Sequence, residues 1–159
     1  MKLPKTIRLD ISDQNTFPLA AEAGEWAVTG TFSFSGLNAE GMGNKEQLAF
    51  RNGWLGLGSF GRASLVQVSP VSEDEYEQIV RALAAHLHCD YNAPDMMAAL
   101  DAARIEVSDA EGICNHPPGT MLAIDRELTD EGIVERIHVI PPGHDDHARI
   151  WTIEDDEQD

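Results

Sequence analysis

The 159-residue chain has the size of one domain, and with 42% apolar residues it can bury a core without disulfides or a structural metal. Its 28 acidic against 11 basic side chains give a formal net charge of -17, which repels polyanions and excludes nucleic acid and anionic membrane surfaces as partners. No apolar run is long enough to span a bilayer and no signal-peptide core follows Met1, so a cytoplasmic protein is expected, with Cys89 and Cys114 as free thiols.

Ile7, Leu9 and Ile11 alternate with Arg8 and Asp10, the period of a strand with one face on a core; Trp26, Val28, Gly30, Phe32 and Phe34 repeat that pattern. An antiparallel pair is the simplest arrangement for these two strands. Gly36 to Asn44 reads as a loop, Lys45 to Phe50 as a short helix ending before Gly53, and Ser64 to Val71 as a strand. Ser72-Glu73-Asp74-Glu75 is a capping box, and Tyr76, Ile79, Val80, Leu83 and Leu87 place an apolar stripe on the helix it opens, which runs to about His88. Asn92-Ala93-Pro94-Asp95 stops that helix and starts a second one through Met97, Leu100 and Val107 towards Cys114. After Pro117-Pro118-Gly119, Thr120 to Leu128 and Ile133 to Ile140 form a hairpin around Thr129-Asp130-Glu131-Gly132, and Ala148 to Ile153 is a last strand. The expected fold is a single α+β domain over residues 1–153, a mostly antiparallel sheet of five to six strands with two main helices on one face. Residues 154–159, nearly all acidic, read as a solvated tail.

The motif that most suggests chemistry is GLGSFG, residues Gly56 to Gly61. A dinucleotide loop needs a helix after it, and Arg62 to Val68 reads as a strand. The strand-turn-strand pattern of a kinase phosphate loop fits locally, but no lysine follows Lys45, and neither a catalytic loop nor a metal-binding DFG is present. Ser59 lacks the strand-to-helix setting of a nucleophile elbow. What remains is a ligand or anion contact through Gly56, Gly58, Ser59, Gly61 and Arg62, weighed against glycines that only let backbone approach closely. Cys114 beside His116 is a candidate reactive thiol, with a thiol packed under a helix end as the plainer reading. His86, His88 and Cys89, and likewise His144-Asp145-Asp146-His147, lack zinc-ligand spacing, and neither metal nor cofactor is expected.

Taken in order, "KTIRLD", "EWAVTGTFSF", "FRNGWLGLGSFGRASLVQV" and "CNHPPGTMLAIDRELTDEG" resemble a small uncharacterised bacterial family of unknown function over nearly the full length. The resemblance implies no activity, cofactor or catalytic residue. From the residues themselves, the leading expectation is a non-catalytic accessory or protein-interaction domain, with Phe50, Trp54 and Phe60 as exposed anchors for a protein partner or a second copy. The alternative is a small-molecule or anion binder, or an enzyme, using the glycine loop and Arg62.

Overall fold

The computed structural model describes residues 1–8, 16–34, 42–91 and 93–142. β1 (Lys2–Ile7) runs antiparallel to β5 (Leu65–Pro70) over its whole length, from Lys2↔Pro70 to Ile7↔Leu65. The expected partnership of β1 with the Trp26 segment is corrected by this register: the two meet at a single bridge, Lys5↔Trp26. Val66 and Val68 bury the inward face of β5, which gives β1 a longer apolar edge to follow. Nor does the Trp26 segment continue to Phe34. It is a strand, β2 (Ala27–Val28), only until Gly30 turns the chain at φ +72, after which Thr31–Phe34 makes one 3₁₀ turn.

Helix α1 (Asn44–Asn52) then leads into β3 (Trp54–Gly56) and β4 (Arg62–Ala63), which pair antiparallel around the glycine motif. Helix α2 (Glu73–Asp90) opens on the capping box expected for it: Ser72 Oγ accepts from Glu75 N at 3.1 Å and Glu75 reaches back to Ser72 N. Helix α3 (Met96–Ile113) starts at Asp95, whose carboxylate accepts from Ala98 N. The chain ends, within the described residues, in the hairpin of β6 (Met121–Thr129) and β7 (Gly132–Ile140), in register from Met121↔Ile140 to Thr129↔Gly132. The expected strand Ala148 to Ile153 and the acidic tail lie outside the described residues.

Among the described residues, seven strands divide into two antiparallel sheets, ordered β1-β5-β6-β7 and β2-β3-β4, beside three α-helices. This is an α+β fold. α3 turns Ala99, Ala103, Val107 and Ala110 inward, and these small side chains let it lie close against Ile79, Val80, Leu83 and Leu87 of α2. The same core takes in Leu3 of β1, Val28 of β2 and Leu55 of β3, so the helix pair packs where the two sheets adjoin. A second core joins Trp54, Val66, Val68, Leu122 and Ile124 to Cys114 at the end of α3. No helix among the described residues is long and apolar enough to cross a membrane. Truncating Leu83, which is fully buried, to alanine is expected to cost about 2–5 kcal/mol in chemical denaturation, whereas Leu128→Ala, at an exposed position of the hairpin, should cost less than about 0.5 kcal/mol.

Candidate functional site

The glycine hairpin between β3 and β4 is an anion site, and the anion belongs to the chain. Thr6, buried at the end of β1, accepts from Glu25 N and donates to the Glu22 carbonyl, which folds residues 22–25 into a turn against the strand. That turn carries the Glu25 carboxylate to the hairpin. Its Oε1 accepts from Gly58 N at 2.8 Å and Ser59 N at 2.7 Å, and its Oε2 accepts from Ser59 Oγ at 2.8 Å and Glu22 N at 2.6 Å. Burial works to raise the Glu25 pKa, but the donors from Ser59, Glu22 and Gly58 outweigh it and hold the carboxyl below its usual range. Close approach accounts for the glycines: a Cβ on Gly61 would stand 2.6 Å from the Ala20 backbone, where Ala20 bridges to Arg62. The loop amides at Gly58 and Ser59 are therefore engaged from within.

Arg62 points away from that anion. It is 8% exposed, and its guanidinium donates from Nη1 to Gly53 O at 3.2 Å and Thr29 O at 3.4 Å, and from Nη2 to Gly30 O at 3.2 Å. No carboxylate among the described residues lies within ion-pair distance of it. Glycine at position 30 makes the arrangement possible, since a Cβ there would lie 2.7 Å from Arg62 Nη1. Burial, reinforced by the charge of nearby Arg126, lowers the Arg62 pKa to about 9.

Arg126 is more deeply buried still, at 1% exposure. Its Nη1 donates to Phe50 O at 2.7 Å and its Nη2 to Thr29 O, while Nε donates to Thr31 Oγ1 at 2.8 Å and lies 3.5 Å from Glu135 Oε1. Burial lowers its pKa to about 10 against the pull of Glu135. The Phe34 ring serves both cations, its centroid 4.6 Å from Arg62 Cζ and 5.2 Å from Arg126 Cζ. Sequence reading missed Arg126, although the alternation Leu122, Ile124, Arg126 places it on the buried face of β6. Glu25 carried no such mark, because its partners become neighbours only when Thr6 folds the turn.

The aromatics expected at the surface are mostly inside. Trp54 is fully buried, its indole N–H without an acceptor among the described residues, and Phe50 packs edge-on against Phe34. Phe60 alone reaches solvent. It sits at φ +60, a backbone conformation costing a non-glycine residue about 1–2 kcal/mol, and its ring stacks on His86 at 3.9 Å. His86 in turn pairs with Asp90 at 2.9 Å, and Tyr91 meets both His86 and Phe32 edge-on.

Cys114 is fully buried beneath α3, and burial pushes its thiol up to about 12. It meets His116 through backbone groups, His116 N donating to Cys114 O at 2.8 Å, while the His116 carbonyl accepts from Lys2 Nζ. The described residues contain no cluster of three or more His, Cys, Asp or Glu side chains placed to hold a metal; His144 to His147 lie outside them.

Two clefts flank the arginine pair. The larger, about 470 Å³, lies between α1 and β6, where Gln47 and Arg51 face Asp125, Arg126, Glu127 and Arg136. The smaller, about 300 Å³, is walled by Phe34, Phe60, Arg62 and Ser33. Fold and site together define an α+β domain with an internally liganded glycine hairpin and a carbonyl-bound arginine pair. The chain belongs to the family of unknown function DUF6505, whose model matches residues 1–156. No curated protein sequence and no solved structure matches it.

Glu25→Gln should cost about 1–2 kcal/mol in urea denaturation at pH 7, a figure already reduced for the solvent that reaches this half-buried carboxylate. Because the folded-state pKa is depressed, that contribution is present above the unfolded value and is lost as pH falls through the folded one. The gap between wild type and variant should therefore close with acidification below about pH 4.

Proposed function

We propose that this protein is a non-catalytic interaction domain that seats an extended, acidic segment of a partner protein in the cleft along the outer half of β6. One observation carries the reading: β5 pairs with β6 only from Leu65↔Ala123 to Gln67↔Met121, while β6 runs on to Thr129. From Ile124 outward, β6 is paired with β7 on one side, and no described strand pairs with it on the other. The Ile124 carbonyl is taken by Asn52 Nδ2 at 3.0 Å, and beyond it the edge borders the larger cleft. Open strand edges bind peptides by adding a strand, the main chain supplying affinity and flanking side chains the selectivity.

Charge selects the partner. Among the described wall residues Arg51, Arg126 and Arg136 outnumber Asp125 and Glu127, an excess of positive charge in a chain of net charge -17. Arg136 is shared between Asp125 at 3.6 Å and Glu127 at 3.3 Å, whereas Arg51, in the last turn of α1, has no ion-pair partner among the described residues. Half-exposed Leu128 adds an apolar contact at the same rim. An interaction role thus keeps its footing on β6 even though Trp54 and Phe50 are buried.

The test is fluorescence anisotropy with labelled octapeptides that alternate valine with glutamate or with lysine. The glutamate peptide should bind with a dissociation constant on the order of 10–100 μM, weakening as salt rises, and the paired change Arg51→Glu, Arg136→Glu should weaken it at least about tenfold. A proline inserted at alternate positions, which removes main-chain donors, should abolish it. Equal binding of the two peptides, or no binding at about 1 mM, would refute the reading.

A further inference from the structure

Among the described residues the smaller cavity shares only Met42 with the cleft along β6, and its walls have a different chemistry. One wall is Arg62, more than nine-tenths buried, whose charge faces backbone carbonyls and no described carboxylate. Neutral carbonyl dipoles satisfy N–H groups but leave the net charge in place, so a buried guanidinium without a counter-ion favours an anion that can reach it. Two other walls are the rings of Phe34 and Phe60, and Ser33, whose hydroxyl accepts from Tyr91 Oη at 3.1 Å, lies beside them. Glu46 also lines the space, but its carboxylate is turned to the start of α1, where Oε1 accepts from Gly43 N at 2.9 Å. A volume of about 300 Å³ sits at the lower end of small-molecule sites.

Phe60 supplies the second, independent observation. Glycine would adopt its φ of +60 without strain, and glycines already stand at positions 58 and 61, yet an aromatic ring, stacked on His86, occupies the strained position and lines the cavity. We infer that this cavity binds a small organic monoanion with a flat apolar body, a carboxylate seated against Arg62 and the body against the Phe34 and Phe60 rings. The anion offsets the mutual repulsion of Arg62 and Arg126, and the rings exclude water from the ion pair. This site stands independently of the peptide cleft, because the arginines assigned to the peptide, Arg51 and Arg136, do not line it.

The experiment is calorimetric titration of the full chain with benzoate, phenylacetate and indole-3-acetate, each against its neutral amide. At least one acid should bind about tenfold or more tightly than its amide. Arg62→Ala removes three carbonyl contacts and endangers folding, so the decisive variant is Phe60→Gly, which relieves backbone strain while deleting the ring. It should weaken the acid at least about fivefold and leave binding of the glutamate peptide unchanged. Acids and amides that bind alike, no acid binding at about 10 mM, or an unaltered affinity in Phe60→Gly would overturn the inference.

Discussion

Two guanidiniums buried among backbone carbonyls organise this molecule. Thr29 and Gly53 present carbonyls between regular elements, Phe50 presents one in the last turn of α1, and the Gly30 carbonyl accepts from Ser33 N as well; Arg62 and Arg126 take all four up. Arg126 caps the end of α1 and, through Thr29 and Thr31, ties it to the turn after β2; Arg62 fixes the same turn to the hairpin that follows α1. Only arginine has the donors for this task, since its planar fork reaches several acceptors at once and its charge survives burial. The cost is visible in both pKa values, lowered to about 9 and about 10. Phe34 offsets part of it by offering its ring to both cations.

Charge is distributed in an unusual way as a result. The chain is strongly acidic overall, yet cations collect beneath and beside α1, at Arg51, Arg62, Arg126 and Arg136, and an anion, Glu25, is enclosed by the glycine hairpin. The two internal charges do different things: Glu25 closes the loop that a ligand phosphate would otherwise fill, while Arg62 leaves a cation bordering open space. A glycine-rich loop in sequence thus marks an anion contact, but the ligand it takes is a side chain supplied by the preceding turn.

Much of the fold was legible because local chemistry and global packing agree there. Ser72 and Glu75 fix the start of α2, Asp95 that of α3, and the alternation on both sides of Thr129 to Gly132 defines the hairpin. Legibility fails where a single residue overrides a pattern. Gly30, needed to admit Arg62, ends the alternation that begins at Trp26. Trp54, beside Gly53 in a glycine-rich stretch, looks like a surface aromatic, whereas it belongs to the core of Val66, Val68, Cys114, Leu122 and Ile124 and no solvent reaches it. The site was legible only in part: Arg62 stands out beside its loop, but its direction, its carbonyl partners and its coupling to Arg126 depend on contacts distant in sequence.

The most direct measurement of this account is amide hydrogen exchange on Arg126→Met, a substitution that keeps the buried volume and removes the donors. If the guanidinium ties α1 and the turn after β2 to the sheet, protection should fall in residues 44–52 and 27–34 while α2 and α3 retain theirs. Protection that stays unchanged in α1 would contradict the account, as would a uniform loss across the helix pair.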